Sequence, residues 1–166
     1  MGKPYAMEHF GAFKTHAEDG RRIAEEILAR LKAPKAAAEE AVTLTRLHMT
    51  DLDLKMREGK VRLFIAENYR WYEKLLLVKQ ADYSACKDDL SVAPTVRKWR
   101  EIEAEMRREG APFALKELKI SGGDLAAMGF RGKAVGETLA ALFRRAVLDG
   151  RLNDREKLLS AAKKML

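Results

Sequence analysis

An all-α fold is what this sequence predicts: a multi-helix bundle of elongated form with a smaller helical tail at its C-terminus. Three observations carry that expectation. Apolar residues recur at three- and four-residue spacing along almost the whole chain. β-branched residues are few and never alternate over a useful length, so no strand is expected. Proline and glycine signals such as Pro34, the "SVAP" at 91–94, Pro112 and Gly150 punctuate the helical stretches.

The elements follow in order. Thr15 and Glu18 have capping-box spacing, and Ile23, Ile27 and Leu31 then recur every four residues until Pro34. A second helix is expected over 34–48 with Ala38, Ala41, Val42 and Leu44 inward, followed by a polar loop over 50–59. From Lys60 to about Lys87 the pattern is helical again. Its apolar phase changes at Asn68–Tyr69, which predicts a break there. Thr95 is placed to cap a charged helix ending at Gly110. Ser121 with Asp124 caps a brief helix closed by Gly129. Val135, Leu139, Leu142, Phe143 and Val147 then form the stripe of an amphipathic helix that Gly150 ends, and Asn153 or Asp154 caps the last one.

The chain has 166 residues, the size of one domain or two small ones sharing a core, and the expected division is 1–90 and 91–166. At 47% hydrophobic and 34% charged it is neither a disordered tail nor a membrane protein; its longest apolar run, Leu139–Phe143, is far short of the roughly 20 residues a bilayer needs. No signal-peptide pattern opens the sequence, and the single Cys86 excludes an internal disulfide, so a reducing cytoplasm is the expected compartment. The net charge is +7. Residues 1–83 carry 15 basic against 13 acidic side chains, and residues 84–166 carry 17 against 12. An excess of that kind favours a polyanion through counterion release, although each charge can equally solvate a helix face.

Few residues offer chemistry. His16, His48 and Asp82 sit on separate helical segments and could converge on a divalent metal. The plainer reading makes His16 a first-turn residue, His48 a helix-terminal one and Asp82 a hydrogen bonder at the core edge. Cys86 has no histidine near it in sequence, and neither a serine elbow nor a GxxxxGK[ST] loop occurs. The glycine-rich "KISGGDLAAMGFRG" at 119–132 has no strand before it, so it reads as backbone freedom around a short capped helix.

Four segments together resemble the C-terminal part of bacterial CCA-adding tRNA nucleotidyltransferases with an HD-type helical domain. They are "THAEDGRRIAEEILARLKAP", "AVTLTRLHMTD", "LLLVKQADYSAC" and, most extensively, "LKISGGDLAAMGFRGKAVGETLAALFRRAVLDGRLNDREKLL". The likeness covers nearly the whole chain. Gly2-Lys3-Pro4 is similar to the end of that family's "HDIGKP", whose His-Asp pair would lie upstream of the sequence, as would the nucleotidyltransferase head.

The resemblance implies a tRNA-binding body and tail, inactive alone, that positions tRNA for 3′-end nucleotide addition by a separate head. No catalytic residue and no cofactor is expected in this chain; Mg2+ with CTP and ATP belong to the full-length enzyme. RNA contacts are expected from Arg97, Lys98, Arg100, Arg107 and Arg108 on the charged helix. Further contacts are expected from Lys119, Ser121 and Gly122 at the short helix, and from Arg144, Arg145, Arg151 and Arg155 in the tail. Trp99, flanked by Val96, Ile102 and Met106 at helical spacing, is expected in the core. The alternative is a degenerate HD-type, metal-dependent phosphohydrolase domain retaining His16, His48 and Asp82 as an incomplete metal site.

Overall fold

The computed structural model describes residues 7–9 and 16–166, with the His16 side chain outside that description. The expected Thr15 cap and the Gly2-Lys3-Pro4 motif lie outside the described residues. Every regular element is helical: α1 His16–Arg30, α2 Lys35–Leu47, α3 Glu58–Glu67, α4 Tyr72–Lys87, α5 Pro94–Glu109, α6 Gly122–Ala127, α7 Lys133–Leu148 and α8 Arg155–Lys163, with short 3-10 turns between some of them. No strand occurs among the described residues, and the fold is all α. No helix among them is long and apolar enough to cross a membrane.

The chain divides into two compact units whose segments alternate along the sequence: residues up to Lys55 with Arg70–Val96, and Met56–Tyr69 with Arg97–Leu166. A linear cut at residue 90 does not describe this arrangement, because α3 packs with the C-terminal helices, chiefly α7.

In the first unit α1 and α2 pack together as a helical hairpin. The turn between them has Lys32 in the left-handed region at φ 49, with the Ala33 N–H donating to Leu28 O at 3.0 Å. That is the six-to-one bond of a helix-ending Schellman motif, built here without its usual glycine. Leu31, expected on the inward stripe, falls past the helix end and is exposed. Ion pairs tie α2 to the 3-10 turn before α4 and to the first turn of α4, Glu39 to Arg70 and Glu40 to Lys74. Tyr72, Leu75 and Leu76 of α4 and Ala24 of α1 are the buried apolar residues of these helices. The predicted break at Asn68–Tyr69 is present: α3 ends at Glu67 and a 3-10 turn leads into α4.

In the second unit, Val61 and Ile65 of α3 are buried with Trp99, Ile102 and Met106 of α5, and the Phe64 and Trp99 rings lie 5.0 Å apart. Trp99 is therefore core, as its spacing predicts. Arg62, whose side chain is only 5% exposed, is paired with Glu58 at 2.8 Å and Glu109 at 2.7 Å. A second cluster joins Leu118, Ile120, Leu125 and Phe130 to Leu142 and Ala146 of α7 and to Leu158 and Ala162 of α8. Gly110, at φ 74, ends α5 with the Ala111 N–H on Met106 O.

One local expectation is overturned in this setting, and two are made more specific. Thr95 does not cap α5; the helix starts one residue earlier at Pro94, and the Thr95 hydroxyl donates to Asp51 O at 3.2 Å. Gly150 is needed for close approach, since a Cβ there would lie 2.6 Å from Ala111 N and 2.8 Å from Glu109 O. Of the two candidate caps for α8, Asp154 accepts from Glu156 N and Lys157 N. Asn153 instead staples the chain, accepting from Lys119 N and donating to Gly110 O and Glu117 O.

Candidate nucleic-acid interface

The two units differ in charge. The residues of the first carry 13 basic and 13 acidic side chains, those of the second 19 and 12, so the entire net charge of +7 belongs to the second unit. Such segregation concentrates positive potential on one body of the chain.

Within that unit the predicted cations divide by what they already touch. Arg100 and Arg107 both reach Glu103, Arg107 also donating to the Tyr69 hydroxyl and standing over the Phe113 ring at 4.9 Å. Lys98 donates to Met56 O at 2.8 Å. Arg144 pairs with Glu67 at 3.3 Å. Arg151 forks onto both oxygens of Asp149 at 2.8 and 3.0 Å, and Arg155 meets Asp124 at 2.6 Å. Arg97, Arg108, Lys119 and Arg145 are exposed, and their side chains have no ion pair among the described residues.

The glycine-rich stretch forms its own capping box. Asp124 N donates to Ser121 Oγ at 3.3 Å, while Ser121 N and Oγ both donate to Asp124 Oδ2 at 2.7 Å. Arg155, with help from Ser121, holds the Asp124 carboxyl well below the usual carboxylate range. A resident carboxylate thus occupies the start of this six-residue helix. Gly122 is half-buried, the position of an added Cβ lying 3.3 Å from Val135 Cγ1. Ser121 therefore caps α6 and Gly122 lets it approach α7; Lys119 and Ser121 are both exposed, but the Ser121 hydroxyl is already engaged by Asp124.

A shallow groove of about 550 Å3 brings Arg145 of α7 together with Glu156, Lys157, Ser160, Ala161 and Lys164. Lys157 and Lys164 were not among the residues singled out in the sequence. Their signal is present there: 157, 160, 161 and 164 are spaced as one face of a helix. What the sequence does not show is that Arg145 faces them, which follows from α7 and α8 joining through Leu142, Ala146, Leu158 and Ala162.

The first unit holds the metal candidates. The Nδ1 of His48 lies 2.6 Å from Thr45 O, a backbone contact within its own helical turn. Asp82 lines an apolar cleft of about 580 Å3 with Met49, Leu52, Tyr83, Cys86 and Lys79. Lys79, 2% exposed, donates to His48 O at 2.9 Å and to Thr50 O. Burial pushes its ammonium down to about 8, opposed by the charges of Asp51 and Asp82. An ammonium in the field of these carboxylates already supplies the positive charge a divalent ion would bring, so His48 and Asp82 do not fit one well. No group of three His, Cys, Asp or Glu side chains able to hold a metal occurs among the described residues. Comparison with protein families, curated proteins and solved structures yields no match.

Proposed function

We propose that this chain is a tRNA-binding body and tail of the kind found in CCA-adding nucleotidyltransferases, holding folded RNA for a catalytic head that the chain does not include. The observation that carries the reading is the segregation of the whole net charge into the second unit. The order of the four family-like segments is what favours tRNA as that RNA. RNA helices are held mainly through phosphates and shape, which suits cations spread over helix surfaces. The phosphohydrolase alternative is disfavoured by Lys79, whose ammonium stands near Asp82.

The test is a salt titration of labelled tRNA binding to the purified chain. With three to four phosphate contacts, a fourfold rise in salt lowers affinity about 50- to 150-fold. Binding that ignores salt, or no binding at all, refutes the reading. The chain alone incorporates neither CTP nor ATP into tRNA; incorporation above a buffer control would show that a catalytic site has been overlooked.

A further inference from the structure

We propose that the groove between α7 and α8 is the seat of a backbone phosphate of double-helical RNA, read without contact to bases. The inference rests on the reading of the second unit as an RNA-holding module, and it adds the place and the form of RNA.

Three cations, Arg145, Lys157 and Lys164, line the groove against one carboxylate, Glu156, and the Ser160 hydroxyl lies among them. The Lys157 ammonium donates to Arg151 O at 2.9 Å, which positions it without neutralising it. Arg145 has no acidic partner among the described residues, in contrast to its neighbour Arg144 on Glu67. An excess of two positive charges beside a hydroxyl donor is the chemistry of a phosphodiester contact.

The aromatic side chains decide which form of RNA fits. Proteins that hold single strands stack bases on exposed aromatic rings. None of the six aromatic side chains of the second unit is exposed: Trp99, Phe113 and Phe130 are buried, and Phe64, Tyr69 and Phe143 are half-buried. Phe64 and Trp99 are packed on each other, and Tyr69 lies 4.6 Å from Phe113. Phe130 is buried, and Phe143 is packed against the apolar cluster. With cations and no stacking platform, the groove suits a duplex, whose bases are turned inward and whose phosphates are outward.

The experiment measures binding of a labelled RNA hairpin duplex and a single strand of equal length across a salt series. It compares the parent with two triple variants of the full chain. One carries Arg145→Gln, Lys157→Gln and Lys164→Gln; the other carries Arg30→Gln, Lys32→Gln and Lys35→Gln in the first unit, removing the same charge elsewhere. Circular dichroism checks that both remain folded. The groove variant is expected to lose roughly 30-fold or more in duplex affinity, with the log–log salt slope shallower by about two to three, while the control changes less than about threefold. A groove variant that binds as the parent does, with the parent still salt-sensitive, overturns the seat and leaves the RNA-holding reading standing. Equal losses in both variants also overturn it, because bulk charge would then be sufficient. Preference for the single strand overturns the duplex assignment. A parent that binds neither RNA refutes both the seat and the function on which it rests.

Discussion

Replacing Lys79 by methionine tests how the first unit handles its buried charge. Lys79 is 2% exposed, and burial takes its ammonium from an ordinary 10.5 to about 8. A difference of that size corresponds to about 3 kcal/mol between the charged and neutral forms. The direction follows from proton counting. Between about pH 8 and 10.5 the unfolded chain holds the lysine proton more firmly than the folded one, so stability contributed by this group rises with pH. Below about pH 8 both states are protonated and the folded state bears the full penalty.

Lys79→Met removes the titrating group and leaves His48 O and Thr50 O without their donor. Its absolute stability combines relief from burying charge with the loss of two hydrogen bonds, each worth about 1 kcal/mol or more. The pH dependence separates these contributions. Urea unfolding followed by circular dichroism, at steps from about pH 7 to about pH 10, gives stabilities for both proteins; their difference cancels the other lysines and the tyrosines. The parent should gain about 2.5 kcal/mol on the variant over that range. A difference that stays constant, or that moves the other way, refutes the assignment of Lys79 as a buried ammonium with a depressed pKa.

Two further substitutions test the backbone. Gly150→Ala should cost about 3 kcal/mol, because its Cβ would press on the backbone of Glu109 and Ala111; a lowered urea midpoint at unchanged slope would show it, and a change under about 0.5 kcal/mol would contradict the close approach. Lys32→Gly should stabilise the first unit by about 0.5–1 kcal/mol, since a side chain at φ 49 is strained and exposed there; a higher melting temperature is the expected readout, and a lower one would count against a left-handed turn.

Much of the fold was legible because its signals are local. A helix declares itself in apolar spacing, and a cap lies within three residues of the groups it satisfies, so the Ser121–Asp124 box and the break at Asn68–Tyr69 could be read directly. Thr95 was misread for a reason of the same kind. A threonine near a helix start normally caps it, but here its hydroxyl donates a hydrogen bond to Asp51 O, 44 residues away.

The site was less legible, because the availability of a charge depends on its partner. Arg144 and Arg145 are adjacent and alike in the sequence, yet Arg144 meets Glu67, 77 residues away, while Arg145 faces a groove. Asn153 and Asp154 are equally plausible caps until the backbone of Lys119 and Gly110 arrives beside Asn153.

The sequence by itself therefore determined the all-α class, where most helices begin and end, the core position of Trp99 and the excess of positive charge. These follow from periodicity, capping and composition, which act over a few residues or over none in particular. Only the tertiary structure decided that α3 belongs with the C-terminal helices and that the entire net charge lies in one unit. It alone set which arginines are already paired, and that a lysine is buried beside an apolar cleft. Those outcomes depend on distances between residues far apart in the chain, which packing sets and local spacing does not encode.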